Sequence, residues 1–249
     1  MTIELKDTNE IERLRQSNRI VALVLHEVAA MMKPGVTTLA IDRLAETIIR
    51  DHGAEPAFKG YRGFPASACI SLNQEIVHGI PSQRELKEGD IVSVDIGTKL
   101  GGFYGDGAYT FCIQPVASKT CELVSTTKTA LDAAIAAARC GKTLGEVSQV
   151  IYATAKQKNY GVIRDYVGHG IGRHLHEDPQ VPNYVGPWRS LKLEPGLVIA
   201  LEPMFTLGDY HTRVLADNWT VVTRDNSMSA HFEHTICITD DEPEILTKL

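Results

Sequence analysis

Four carboxylates and one imidazole carry the types and spacing of a metal-binding set: Asp95, Asp106, His169, Glu202 and Glu233. Asp95 sits in the middle of the apolar run Ile91 to Lys99. Strand alternation sends Val92, Val94 and Ile96 one way and Ser93, Asp95 and Gly97 the other. Leu100-Gly101-Gly102 is a turn signal, and Tyr104 to Ile113 reads as the returning strand. A hairpin centred near residues 100 and 101 places Asp106 opposite Asp95, on one face, with Cβ atoms about 5 Å apart. Two like charges there repel by roughly 4 kcal/mol at an effective dielectric of about 20. The pair makes sense if a cation lies between them or one proton is retained. Glu202 occupies the matching position of a second, similar strand. Glu233 keeps the strand parity relative to Thr235 that Asp106 keeps relative to Thr110. Two divalent ions balance four such charges. An oxygen-rich set with one His suits Mn, Fe, Co or Zn. Ion pairs about 3.5–4 Å apart serve hydrolysis.

Other chemistries lack their signatures. His26-Glu27 and His176-Glu177 have no second His four residues on, so there is no H-E-x-x-H site. There is no G-x-S-x-G elbow and no Walker-type phosphate loop. His174 and His176, and likewise His231 and His234, look like ligand pairs. Alternation in a strand puts 231 and 234 on opposite faces, which predicts ordinary surface positions for one or both. Cys69 has no cysteine-protease surroundings but could line a pocket.

These residues need elements to hold them. Asp7 with Glu10 reads as a capped helix start, followed by Ile11, Leu14, Val21 and Leu25 on one stripe. That helix should end before Lys33-Pro34-Gly35. A second helix runs over about Thr38–Asp51 and stops at Gly53. Helices are also predicted over Cys121–Arg139 and about Leu144–Lys158. The two helix pairs match each other, and so do four short segments in the same order. Thr38-Leu39 recurs as Thr143-Leu144, and His78-Gly79-Ile80 as His169-Gly170-Ile171. The strand after Leu86 recurs after Leu193, aligning Asp95 with Glu202, and Thr110-Phe111-Cys112-Ile113 recurs as Thr235-Ile236-Cys237-Ile238. The chain therefore reads as a duplicated helix–helix–strand unit, with halves at about 8–115 and 118–247. Both halves join one α+β catalytic domain spanning 1–249, with the site on their pseudo-two-fold axis.

Composition excludes several classes. With 43% hydrophobic and 22% charged residues, the 249-residue chain can build a full core. Against 31 acidic residues stand 25 basic ones without a cluster, so no nucleic-acid stripe is expected. No apolar run approaches the ~18–20 residues of a membrane span. Acids and bases are mixed through the first twenty residues, unlike a signal peptide. The five cysteines include no C-x-x-C pair, which argues against a disulfide framework and for a reducing, cytoplasmic setting.

The chain resembles the pita-bread metallopeptidases (M24-like), and within them the type I methionine aminopeptidases. The matching segments are Gly60 to Cys69, Asn73 to Pro81, Val94-Asp95-Ile96-Gly97, Gly105-Asp106, Gly168 to Arg173 with His176-Glu177, Leu201-Glu202-Pro203 and Phe232 to Thr235. They span about residues 8 to 247. The resemblance implies a pita-bread fold with two halves around a shared curved antiparallel sheet. It implies that Asp95 binds one metal ion, that His169 and Glu202 bind the other, and that Asp106 and Glu233 bridge them. Glu202 would be the proton shuttle, His176 would stabilise the developing oxyanion, and His78 would contact the amide of the second residue. Tyr61, Phe64, Cys69 and Trp219 would line the methionine pocket, with His78 at its edge. Arg62 and Phe64 stand at positions that vary in the family, where His and Tyr also occur. The implied reaction is removal of initiator methionine from nascent chains with a small second residue. It uses two divalent ions (Co, Mn, Fe or Zn), in the cytoplasm, near the ribosome and with no membrane or sequence-specific nucleic-acid partner. A monomer is the default. No zinc-binding extension precedes the matching segments, and the step from His176 to Glu202 is too short for the type II insert. The alternatives on the same fold are an X-Pro peptidase, which usually carries an extra N-terminal domain, and an inactive binding protein, which would lose ligands.

Overall fold

The computed structural model describes residues 3–186 and 190–249. Helix α1 (Thr8–Ala29) starts at the expected cap: Asp7 accepts from the Glu10 amide at 2.9 Å, and Glu10 accepts from the Asp7 amide at 3.1 Å. Thr37 caps α2 (Thr38–Asp51), and Thr143 with Glu146 forms a second capping box at α4 (Leu144–Gln157). Each cap satisfies amides that the first helical turn would leave unpaired. Helix α3 (Ser118–Ala137) begins three residues before the expected Cys121. Among the described residues no helix is long and apolar enough to cross a membrane.

Eight strands position the candidate site: β1 (Ala68–Leu72), β2 (Ile91–Leu100), β3 (Phe103–Cys112), β4 (Gly168–Gly170), β5 (Glu177–Val181), β6 (Val198–Leu201), β7 (Ser229–His231) and β8 (His234–Cys237). In the first half β2 pairs antiparallel with β1 and β3. In the second, β6 pairs with β4 and β8, and β5 lies outside β4. The halves meet where Ala108 and Glu233 exchange backbone hydrogen bonds, at 2.9 and 3.3 Å. On the outer face, Val24, Ile41 and Ile49 of the helices pack on Ile70, Val92, Val94 and Ile96. In the second half Leu131, Val147 and Ile151 lie against Ile199, Leu201 and Ile236. Burying each such side chain contributes about 1.5–3 kcal/mol, so the parity of β2 is set by its helix-facing aliphatics, and Asp95 is left on the inner face.

Three of the expected correspondences change in detail. The β2–β3 turn is Gly101-Gly102, both at positive φ, and Leu100 pairs with Phe103. Asp106 therefore stands opposite Gly97, and Asp95 opposite Ala108. The register differs by two residues, which preserves the shared face and makes the two carboxylates diagonal neighbours. The two N-caps are Thr37 and Thr143, each bridged to the strand entry at Glu85 and Lys192; the Thr-Leu pairs thus match one position out of step. The His-Gly-Ile match is a coincidence. His169 is on β4, the counterpart of β1, whereas Gly79 accepts from Ile70 at 2.8 Å and lies outside β1, where the second half has β5.

Candidate metal centre and substrate cleft

The inner faces of the two central sheets converge on five side chains, three from strands and two from the connections that follow strands. Asp95 comes from β2, Asp106 from β3, His169 from β4, Glu202 from the residue after β6, and Glu233 from the link between β7 and β8. His169 Nε2 lies 3.8 Å from Asp106 Oδ2 and 3.6 Å from Glu202 Oε1. Donor atoms of Asp106, His169 and Glu233 fall within 4.8 Å of one another. The sequence-predicted set is therefore together in space.

Its orientation is held from behind. His169 Nδ1 donates to the Gly170 carbonyl at 2.9 Å, because a carbonyl can only accept; the neutral ring then presents a bare Nε2 to the carboxylates. Asn18 of α1 accepts from the Asp106 amide at 3.2 Å, and Asn183 donates to the Glu202 carbonyl at 2.9 Å. Asp42 of α2 accepts from the Ser67 and Ala68 amides, both at 2.9 Å, and so fixes β1 beside Asp95.

The electrostatics of the cluster favour a cation among its carboxylates. Burial raises Asp95 to about 7, and burial with the Asp95 charge raises Glu202 to about 8. Burial and neighbouring carboxylates drive Asp106 and Glu233 well above the usual carboxylate range. Asp95 Oδ1, Asp106 Oδ1 and Glu233 Oε1 are buried without a hydrogen-bond partner. Orphaned acceptors of this kind cost free energy unless a cation or proton satisfies them. An oxygen-rich donor set with an imidazole thus fits divalent ions of the Mn–Zn series.

Beside the carboxylates opens a cleft of about 360 Å³. Tyr61, Phe64, Cys69, His78, His176 and Trp219 all line it. Phe64 meets Trp219 edge-on at 5.2 Å between ring centroids. Burial raises the Cys69 thiol well above its usual value, so it serves as an apolar wall. His78 holds a left-handed backbone (φ 60°) and is followed by Gly79, where a Cβ would fall 2.2 Å from the Ile70 carbonyl oxygen. Such strain in a non-glycine residue is characteristic of functional positions. His176 stands at the cleft mouth, 4.3 Å from His169 between centroids, and its Nδ1 is 2.9 Å from the Tyr61 hydroxyl. Burial, with neighbouring positive groups second, lowers both His78 and His176 to about 4. Each is a neutral imidazole near pH 7.

A family model described as metallopeptidase family M24 matches residues 12–240. The chain is 48% identical over 246 residues to the methionine aminopeptidase of Clostridium acetobutylicum, covering 98% of each. The chain belongs to the M24 metallopeptidases. Its structure matches a crystal structure of Thermotoga maritima methionine aminopeptidase with a TM-score of 0.98 and 44% identity, covering both chains fully. It shares its fold, at a TM-score of 0.79 and 23% identity, with a prolidase of Pyrococcus furiosus, of which it covers 65%.

Other residues of this M24 chain enter the site unannounced by its motifs. Tyr166 packs edge-on against His78 at 5.5 Å. Phe58 lies so close to Gly97 that a Cβ there would fall 2.4 Å from its ring. His231 is 2% exposed and points at Glu202 and Glu233, contrary to a surface role. His234 is half-buried and bonded to Thr247 at 2.7 Å. The available signal was parity: 231 is two residues from Glu233, and alternate strand residues share a face.

Proposed function

We propose that this chain releases N-terminal methionine from nascent polypeptides and short peptides whose second residue is small, using two divalent ions drawn from Co, Mn, Fe and Zn. The observation that carries the reading is the convergence of four carboxylates, Asp106 and Glu233 among them buried, and His169 on one wall of an aromatic cleft. The family membership and the named relatives support it. Residues 1–249 act in this reading as one catalytic domain, with halves at about 8–115 and 118–247 tied at the Ala108–Glu233 seam. Nascent N-termini emerge from ribosomes in the cytoplasm, which is the setting we assign.

Asp95 would hold one ion, His169 and Glu202 the other, with Asp106 and Glu233 between them. When bound, such an ion pair polarises a carbonyl and lowers the pKa of a water. The residues do the rest. The slot between Phe64, Trp219, Cys69 and Tyr61 takes an unbranched thioether side chain and aligns the first peptide bond with the carboxylates. With ions bound Glu202 would be a carboxylate, so it would take a proton from the attacking water and pass it to the leaving amine. If the Tyr61 hydroxyl donates to His176 Nδ1, the ring carries its proton on Nε2, free to donate to the carbonyl oxygen as charge develops. His78, on its strained backbone, meets the amide of the second residue.

The test is direct. Purified protein supplied with Mn or Co is incubated with Met-Ala-Ser, Met-Leu-Ser and an X-Pro peptide. Release of methionine from the first alone supports the proposal. Cleavage of X-Pro alone moves the chain to the prolidase branch, and no cleavage with any metal assigns it a binding role.

A further inference from the structure

We propose that His231 is an additional metal ligand, giving the centre a second imidazole on the side of Glu202 and Glu233. The inference rests on reading the site as a metal centre. Its first support is symmetry. Thr110 Oγ1 donates to the His231 carbonyl at 2.6 Å, and Thr235 Oγ1 donates to the Asp106 carbonyl at 2.8 Å. The two threonines are mates across the pseudo-two-fold axis, so His231 is the mate of Asp106. The duplication thus supplies a donor at this position in both halves: a carboxylate in the first and an imidazole in the second.

The second support is an unpartnered atom. His231 is 2% exposed, and its Nε2 has no hydrogen-bond partner. It shares that condition with Asp95 Oδ1, Asp106 Oδ1 and Glu233 Oε1 around the same centre. The main chain of residue 231 is locked, its amide donating to Thr110 Oγ1 at 3.0 Å while its carbonyl accepts from the same hydroxyl.

The third support is distance. Nε2 lies 3.9 Å from Glu202 Oε2 and 3.8 Å from Glu233 Oε2. That is beyond a hydrogen bond, which ends near 3.2 Å. Two donors on one ion, each about 2.0–2.2 Å from it, stand up to about 4.3 Å apart. Glu202, His231 and Glu233 offer donor atoms all within 4.8 Å of one another, as do Asp106, His169 and Glu233. The two triads share Glu233 and hold one imidazole each. Glu202 lies between them, with Oε1 toward His169 and Oε2 toward His231.

The experiment loads the full-length protein with Co(II) and records proton NMR, in which each coordinated imidazole contributes one hyperfine-shifted exchangeable N–H. Two such signals are expected in the wild type. His231→Gln should keep one of them, from His169, and should weaken Co(II) affinity by about tenfold or more in a chelator competition. A single shifted N–H in the wild type, or two that survive in His231→Gln with unchanged affinity, would overturn the inference while leaving the metal centre intact. A wild type that takes up no Co(II) would overturn both. The wild-type signal count stands whether or not the variant folds.

Discussion

Stripping the ions should make stability fall with pH, and the structure sets the window. Asp95 titrates at about 7 and Glu202 at about 8 in the folded chain, against ordinary values of 3.8 and 4.5. A carboxyl raised by folding binds its proton more tightly in the native state. Its stabilising contribution is therefore full below the unfolded value and is lost as pH rises through the folded one. The histidines act oppositely. His78, His176 and His234 are lowered to about 4, and His231 to about 3. They add stability as pH rises toward the ordinary 6.5 and nothing above it. The carboxylates are thus isolated between pH 6.5 and 8.5. Across that range Asp95 loses about 1 kcal/mol and Glu202 about 2 kcal/mol. Asp106 and Glu233, raised well above the ordinary range, push the same way. At roughly 2–4 °C per kcal/mol for a chain of this size, a loss of about 3 kcal/mol lowers Tm by about 6–12 °C. Thermal melts by circular dichroism, in chelator and in excess Mn or Co, provide the assay. The ion-loaded protein should melt higher and lack the fall, since ligand carboxylates are already deprotonated. A chelator-treated Tm that is flat or rising from pH 6.5 to 8.5 would refute the argument that these carboxylates are held protonated by burial.

Three further outcomes follow from single contacts. His176→Ala should lower kcat on Met-Ala-Ser by about 10²–10³-fold with little change in KM; Tyr61→Phe, which removes only the 2.9 Å contact to Nδ1, should give a smaller loss of the same kind in steady-state kinetics. Lys6→Met should leave Glu177, bonded to Lys6 at 2.8 Å and nearly buried, without its cation; a loss of about 3–5 kcal/mol is expected in urea unfolding, and Lys6→Met with Glu177→Gln should recover part of it. Gly97→Ala forces the Phe58 ring aside, costing about 1–3 kcal/mol and raising KM for methionyl peptides, because Phe58 lines the cleft.

What could be seen in advance depended on how far apart the interacting residues lie along the chain. Helix starts were legible because a cap is a local event: Asp7 with Glu10 and Thr143 with Glu146 close their boxes within four residues. The shared face of Asp95 and Asp106 was legible because a slip of two residues preserves parity, so an error about the glycine turn left the chemistry intact. The His-Gly-Ile repeat misled because identical tripeptides met different neighbours; only the pairing of His169 with Ala200 on β6 reveals that its counterpart is on β1. No spacing rule could bring Tyr61 to His176 or Phe64 to Trp219. These contacts cross the seam or close long loops, and only the resemblance pointed to the residues. His231 lies between these cases. Compared with His234 it looks like a surface residue, because adjacent ligands in a strand alternate. Compared with Glu233 it shares the metal face, and the two-fold that aligns Thr110 with Thr235 aligns it with Asp106. The pseudo-two-fold therefore adds one donor position that the motifs miss, by aligning the buried His231 with Asp106.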